Sequence, residues 1–154
     1  MGVDVGAAEA ALDDLLRLCQ EAAYNAALDS ADDVRERTQA LLLSREHPPF
    51  TKTPSPPGTP PAAISGALAA SVIVTDDGES AFVGPTTDYG RIQELGGEMH
   101  GHPMMHWQEP PGVWHHSRGH SLPDRPYLKP ALESALPRIE EIFVDAIARA
   151  IEEV

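Results

Sequence analysis

The sequence predicts an α+β domain in which a small antiparallel β-sheet is packed by long N-terminal and C-terminal helices, with an extended proline-rich arm and a hairpin projecting. Three observations carry this: an amphipathic stretch at each end of the chain, a β-hairpin pattern between them, and a proline run that can be neither helix nor central strand. With 154 residues the chain suits a single domain. Within it we place a helical region at 1–46, the arm at 47–63, a sheet region with a corner helix and a histidine-rich hairpin at 64–121, and the last helix at 122–154.

From Ala7 to about Ser44, the residues Leu12, Leu15, Cys19, Ala22 or Ala23 and Ala26 fall on one helical stripe, which Val34, Leu41 and Leu42 extend. Asp29-Ser-Ala-Asp-Asp33 interrupts it with residues that favour helix N-caps, so the stretch reads as one bent helix or as two. Unbroken, it would be ~57 Å long, more than a small domain needs, which suits a bundle or a subunit interface as well as a solvated helix on its own sheet.

The stretch from His47 to Pro61 holds seven of the 15 prolines, with Phe50 as its one large apolar anchor. Proline removes donors and fixes φ, so an extended arm or loop follows. Next, Ser65 to Ala70 reads as a short turn and Val72-Ile-Val-Thr75 as a β-branched strand, joined by Asp76-Asp77-Gly78 to a second strand, Ser80-Ala-Phe-Val-Gly84.

Gly84-Pro85 should break that strand, and Thr87 or Asp88 should cap a short helix carrying Tyr89, Ile92 and Leu95. Gly96-Gly97 supplies the positive φ that closes it. Met99 to Trp107 and Gly112 to His120 read as another hairpin turned at Glu109-Pro-Pro-Gly112. After a proline-rich approach, Leu132, Leu136, Ile139, Ile142, Phe143, Ala146, Ile147, Ala150 and Ile151 mark the last helix. Pro130 suits its first turn, and Pro137 marks a kink or the true start.

A formal net charge of −13 argues against a protein that grips phosphate backbones, which takes clustered Lys and Arg. Cys19 is the only cysteine, so neither a disulfide framework nor a multi-cysteine zinc site is expected, and a reducing cytoplasm suits the chain. No apolar run reaches the ~18 residues of a membrane span, and the first residues lack a signal peptide's basic start and apolar core. The expectation is a soluble protein with no membrane partner, made and kept inside a cell.

Six of the seven histidines, His100, His102, His106, His115, His116 and His120, lie in the second hairpin. Alternate residues on a strand share a face, so His100 and His102 could approach one metal ion with His115 or His116 opposite. A histidine-coordinated metal-dependent enzyme is therefore one alternative. No carboxylate or base stands at a defined spacing from these histidines, and Ser71, Ser117 and Ser121 lie in no nucleophile elbow. We expect no catalytic residue, no cofactor and no metal.

Three segments in order carry a resemblance: Ile64-Ser-Gly-Ala-Leu-Ala-Ala-Ser-Val72; Phe82-Val-Gly-Pro85 with Tyr89-Gly-Arg-Ile-Gln-Glu-Leu-Gly-Gly97; and Pro123-Asp-Arg-Pro-Tyr-Leu-Lys-Pro-Ala-Leu132. Together they resemble the tail-completion or neck (tail-component) family of long-tailed bacteriophages, with Ser65 in place of threonine, Gly90 in place of alanine and Tyr127 in place of phenylalanine. The resemblance spans Thr59 to Val154, and the histidine-rich hairpin is an expansion relative to short members.

It implies a structural virion protein without catalytic residues, assembled in the host cytoplasm into a ring at the head–tail junction. A hexamer is the first expectation and a dodecamer the second. Its partners would be portal, adaptor or stopper proteins on one side and tail tube or terminator proteins on the other, with genome DNA passing through unbound. Tail terminator and head-side adaptor are near alternatives, and a monomeric peptide-binding adaptor is one of another class.

Arm and hairpin lack the regular apolar spacing to pack on their own domain, so they are expected to grip neighbours. The contact residues expected are Phe50, Trp107, Trp114, Arg118, Arg125 and Tyr127, with Lys52 and Lys129 as further cations. Gly84, Tyr89, Glu94, Gly96 and Gly97 are expected to form a structural corner.

Overall fold

The computed structural model describes residues 5–48, 51, 53–99, 105–108, 112, 114–117 and 120–153. It is α+β. Helix α1 (Val5–Leu43) is followed by the short α2 (Ala67–Ala70), the hairpin of β1 (Val72–Asp76) and β2 (Ala81–Pro85), and helix α3 (Gly90–Leu95). The strands β3 (Gly97–Met99), β4 (Met105–Gln108), β5 (Trp114–Ser117) and β6 (His120–Leu122) lead to helix α4 (Leu128–Glu152).

The first stretch forms one uninterrupted helix of 39 residues. Asp29 to Asp33 does not cap a second helix because its polar groups find partners within the first. Ser30 Oγ donates to the Ala26 carbonyl at 2.6 Å, Asp33 accepts from Arg37 Nε at 2.6 Å, and Asp32 pairs with Arg35 at 3.0 Å. Of the expected stripe, Ala26, Val34 and Leu42 are buried, but its N-terminal part is not. The buried stripe runs Ala26, Ser30, Val34, Thr38, Leu42 in steps of four, whereas Leu12 stays 64% exposed. Thr38, like Ser30, meets burial by bonding back, its hydroxyl donating to the Val34 carbonyl at 2.7 Å.

Small side chains let α4 lie close, with Ala131, Ala135 and Ala150 buried on its side. The two helices are antiparallel, since Leu42 and Tyr127 share one apolar cluster and Arg37 reaches the Ser134 carbonyl at 3.2 Å. Pro137 lies inside α4 and is not its start. The pairing of 37 with 134 carries Glu152 to a level near residue 19, so about the first 14 residues of α1 extend past the end of α4. Residues 5–14 are all exposed.

The β1–β2 hairpin lies on α1, with Tyr24 Oη donating to Asp76 at 2.6 Å and Gln39 Nε2 to the Val72 carbonyl at 3.2 Å. Its turn is held by Asp77, whose carboxylate accepts from the Glu79 and Ser80 amides at 3.0 and 2.8 Å, bonds that pull its pKa down. Gly84 and Pro85 do not break β2 as expected, because Gly84 pairs with Ile73 and Pro85 with Val72. They occupy the end of a two-stranded sheet, where a missing N–H is tolerated.

The second hairpin forms as two ladders. Gly97–Met99 pairs with His120–Leu122, and Met105–Gln108 pairs with Trp114–Ser117. Five residues on one side and two on the other separate the ladders, so their registers differ by three.

Candidate functional site

Two places stand out: a corner where three segments lock together, and an apolar groove beside it. At the corner, α3 meets the start of α4. Glu94 reaches across and accepts three backbone N–H groups of that helix end, from Tyr127 at 2.7 Å, Leu128 at 2.9 Å and Lys129 at 3.0 Å. No side chain of α4 caps its own N-terminus, and Pro130, the next residue, has no N–H. A single carboxylate from a distant helix thus satisfies the donors that a helix start leaves open, and its charge suits the positive end of the dipole.

Tyr127 is fully buried under this cap, its hydroxyl donating to the Gly90 carbonyl at 3.0 Å. Burial, then the neighbouring Glu94 charge, pushes its pKa up to about 12. It anchors the main apolar cluster with Leu42, Ala69 and Val72. Arg125 is buried beside it, its N–H donating to the Gln93 carbonyl at 2.7 Å and its Nε to the Ser55 carbonyl at 2.9 Å. Arg125 and Tyr127 were expected to touch a neighbouring subunit. Both are inside the chain's own fold, because the α4 start is enclosed by α3 and the proline-rich segment.

That segment does not project. It folds back as a closed loop, with His47 N–H donating to the Ala63 carbonyl and Ala63 N–H to that of Arg45, each at 2.8 Å, and Gly58 N–H to that of Asp124 at 2.9 Å. Ser55 is buried in it, its Oγ accepting from the Ala62 amide at 2.8 Å. Prolines fix the extended backbone, and the Gly58 amide and the Ser55 carbonyl tie it to Asp124 and Arg125.

Of the other corner residues, Gly96 has φ 66 and ψ −173, a conformation open essentially to glycine alone. A Cβ there would lie 2.7 Å from the Asp124 nitrogen and 2.8 Å from the Leu122 oxygen. Gly97 has only ordinary space around it. Tyr89, partly exposed, stands at the N-cap position of α3, so neither Thr87 nor Asp88 caps that helix by its side chain. Instead the Gly90 amide bonds the Thr87 carbonyl at 3.0 Å. At Gly90 a Cβ would fall on the Pro85 ring.

Trp107 and Trp114 lie on β4 and β5, as partners in register of His115 and Gln108, and His106 is the partner of His116. Phe50, Lys52, Arg118, His100 and His102 lie outside the described residues. Among the described residues no three His, Cys, Asp or Glu side chains gather as a metal site, and no helix is long and apolar enough to cross a membrane.

The groove, of about 410 Å³, lies between α1, β2 and α4. Ala27, Ala31 and Val34 form one wall, Ala81 and Val83 another, and Leu128, Leu132, Ile139 and Phe143 the third. Lys129 is its one charged lining residue. The stripe expected to bury α4 is therefore divided. Its alanines meet α1, while Leu132, Leu136 and Ile151 are 46%, 55% and 55% exposed.

The chain matches no family model, no curated protein and no solved structure.

Proposed function

We propose that this chain is a structural virion protein of a tailed bacteriophage, a subunit of a ring at the head–tail junction. The observation that carries the reading is an imbalance in burial. Among the described residues, four apolar side chains larger than alanine are buried, Val34, Leu42, Val72 and Tyr127, while thirteen large ones are exposed. One exposed leucine needs no explanation, but thirteen large apolar side chains left exposed beside so few fully buried ones support surfaces that other chains cover.

The kind of assembly follows from the resemblance. Its first two segments are joined by the β1–β2 hairpin, and the third, distant in sequence, meets the second through Tyr127 on Gly90 and Glu94 on the start of α4. The packing of the third segment on the second supports reading them as one unit. The role is structural and not catalytic. A sixfold ring matching the tail is the first choice and a twelvefold ring matching the portal the second. The ring joins portal, adaptor or stopper proteins to the tail tube or terminator. Subunits of charge −13 repel DNA, which suits a channel that passes the genome without holding it.

Native mass spectrometry and electron microscopy of the purified chain test this, together with a phage carrying a stop codon in its gene. Closed rings are expected, and finished heads and tails that fail to join. A permanent monomer whose loss leaves particle yield unchanged would overturn the reading.

A further inference from the structure

We propose that the free end of α1, residues 5–18, is a docking helix that lies in the α1–β2–α4 groove of a second copy of this chain. Two unpartnered apolar surfaces motivate it. The free end carries Val5, Leu12 and Leu16 exposed along one side, and the groove presents Leu132, Ile139 and Phe143. A helix in an apolar groove is a common mode of recognition.

The fit rests on length, charge and connectivity. Fourteen helical residues span ~21 Å, and the groove wall from Lys129 to Phe143 also spans ~21 Å along α4. On the docking helix, Arg17 is paired with Asp14 and with Glu21 beyond it, but Glu9 and Asp13 have no cationic partner among the described residues. Glu9 flanks the apolar side, one turn from Val5 and two from Leu16. The groove's one charge is Lys129, 75% exposed and only 4.0 Å from Glu133 in a loose surface pair.

Connectivity supplies the occupant. Residues 27–34, which wall the groove, belong to the same unbroken helix as residues 5–18. A straight helix cannot fold back onto its own flank, so the segment that fills the groove comes from another copy. Such a contact joins unlike surfaces and repeats head to tail, closing as a ring or running on as a filament. The proposal rests on the ring-subunit reading only for that closure.

The test is the mass of the full-length chain in solution, by light scattering and native mass spectrometry over a range of concentrations. Leu12→Asp combined with Leu16→Asp should weaken self-association by about 100-fold or more, without loss of the folded circular dichroism signal. Glu9→Lys and Lys129→Glu should each weaken it by about three- to tenfold, and the two mixed as separate chains, or combined in one, should recover most of the loss. Rings that survive the double leucine variant would overturn this grip and leave the ring reading standing. A head-to-tail filament lost in that variant and recovered by the charge swap would support the grip and overturn the ring. Absence of recovery in the swap, or a wild-type monomer at every concentration, would overturn the grip.

Discussion

The corner around Glu94 and the free end of α1 use the same kinds of side chain for opposite ends. At the corner each residue is held by several elements: Glu94 by three amides of α4, Tyr127 by the apolar cluster and Gly90, Arg125 by Gln93 and Ser55. Along residues 5–14 of α1 every residue is exposed, and the ion pairs that follow, Arg17 with Asp14 and Glu21, are local. One region is complete within the chain; the other is regular in its backbone but unfinished in its packing. Stability should therefore be concentrated at the corner, and association at the helix end.

The largest break in that contrast is expected at Gly96. Gly96→Val adds a β-branched side chain at a φ that disfavours it and drives Cβ into the backbone of residues 122–124, which cannot move without losing the α4 start. We expect a loss of about 3 kcal/mol or more in urea unfolding. Gly84→Ala is the control. Nothing lies within 4 Å of a Cβ there, so the change should stay within about 0.5 kcal/mol. Equal effects at both positions would show that the corner does not require glycine.

Glu94→Ala comes next, because it leaves the Tyr127, Leu128 and Lys129 amides without their acceptor. Loss of a charged cap of this kind should cost about 2–3 kcal/mol, and Glu94→Gln, which keeps an oxygen, about half as much. Denaturant midpoints that fail to separate alanine from glutamine would remove the charge from this account.

How much of this was legible in the sequence follows from what each region depends on. The end helices, the β1–β2 hairpin and the positive-φ glycine after α3 depend on local spacing and are present, although β2 runs on through Pro85 and no side chain caps α3. The placement of Tyr127 and Arg125 depends on what encloses them. A proline-rich stretch gives no period from which its return to residues 123–125 could be inferred, so they were misplaced at a surface. The division of α4 into an alanine side and a leucine side was also hidden, since apolar spacing does not say which apolar residues a partner helix will choose. The excess length of the first helix, by contrast, was legible from its span. The apolar pattern Val5, Ala8, Leu12, Leu15, Cys19 makes α1 longer than α4 can cover.

Alkaline titration probes the corner from inside with a smaller effect. The Tyr127 pKa, raised from 10.0 to about 12, means that the folded state keeps a proton the unfolded chain gives up. Stability is thus unaffected below about pH 10 and falls as pH rises from 10 towards 12, by on the order of 2 kcal/mol. Unfolding midpoints at pH 9 and pH 11.5 measure it. Tyr127→Phe should be less stable at pH 9, having lost the bond to Gly90, and should show a shallower decline above it. Equal slopes for the two proteins would assign the decline to other groups.

The smallest stability effect should come from the other region. Leu12 and Leu16 are 64% and 57% exposed and lie beyond the reach of α4, so Leu12→Asp with Leu16→Asp removes no buried side chain within one chain. Measured on dilute, monomeric protein, the change should stay within about 0.5 kcal/mol. Helix nucleation is already supplied by residues 19–43, so the free end persists as an extension whose last turns fray with little free energy either way. Amides of residues 5–18 should accordingly exchange with solvent far faster than those of residues 26–42 in the monomer, and slow down as wild-type concentration rises, but not in the double variant. Concentration-independent exchange in the wild type would mean that this end of α1 is never covered, and the contrast between the two regions would then have no role in assembly.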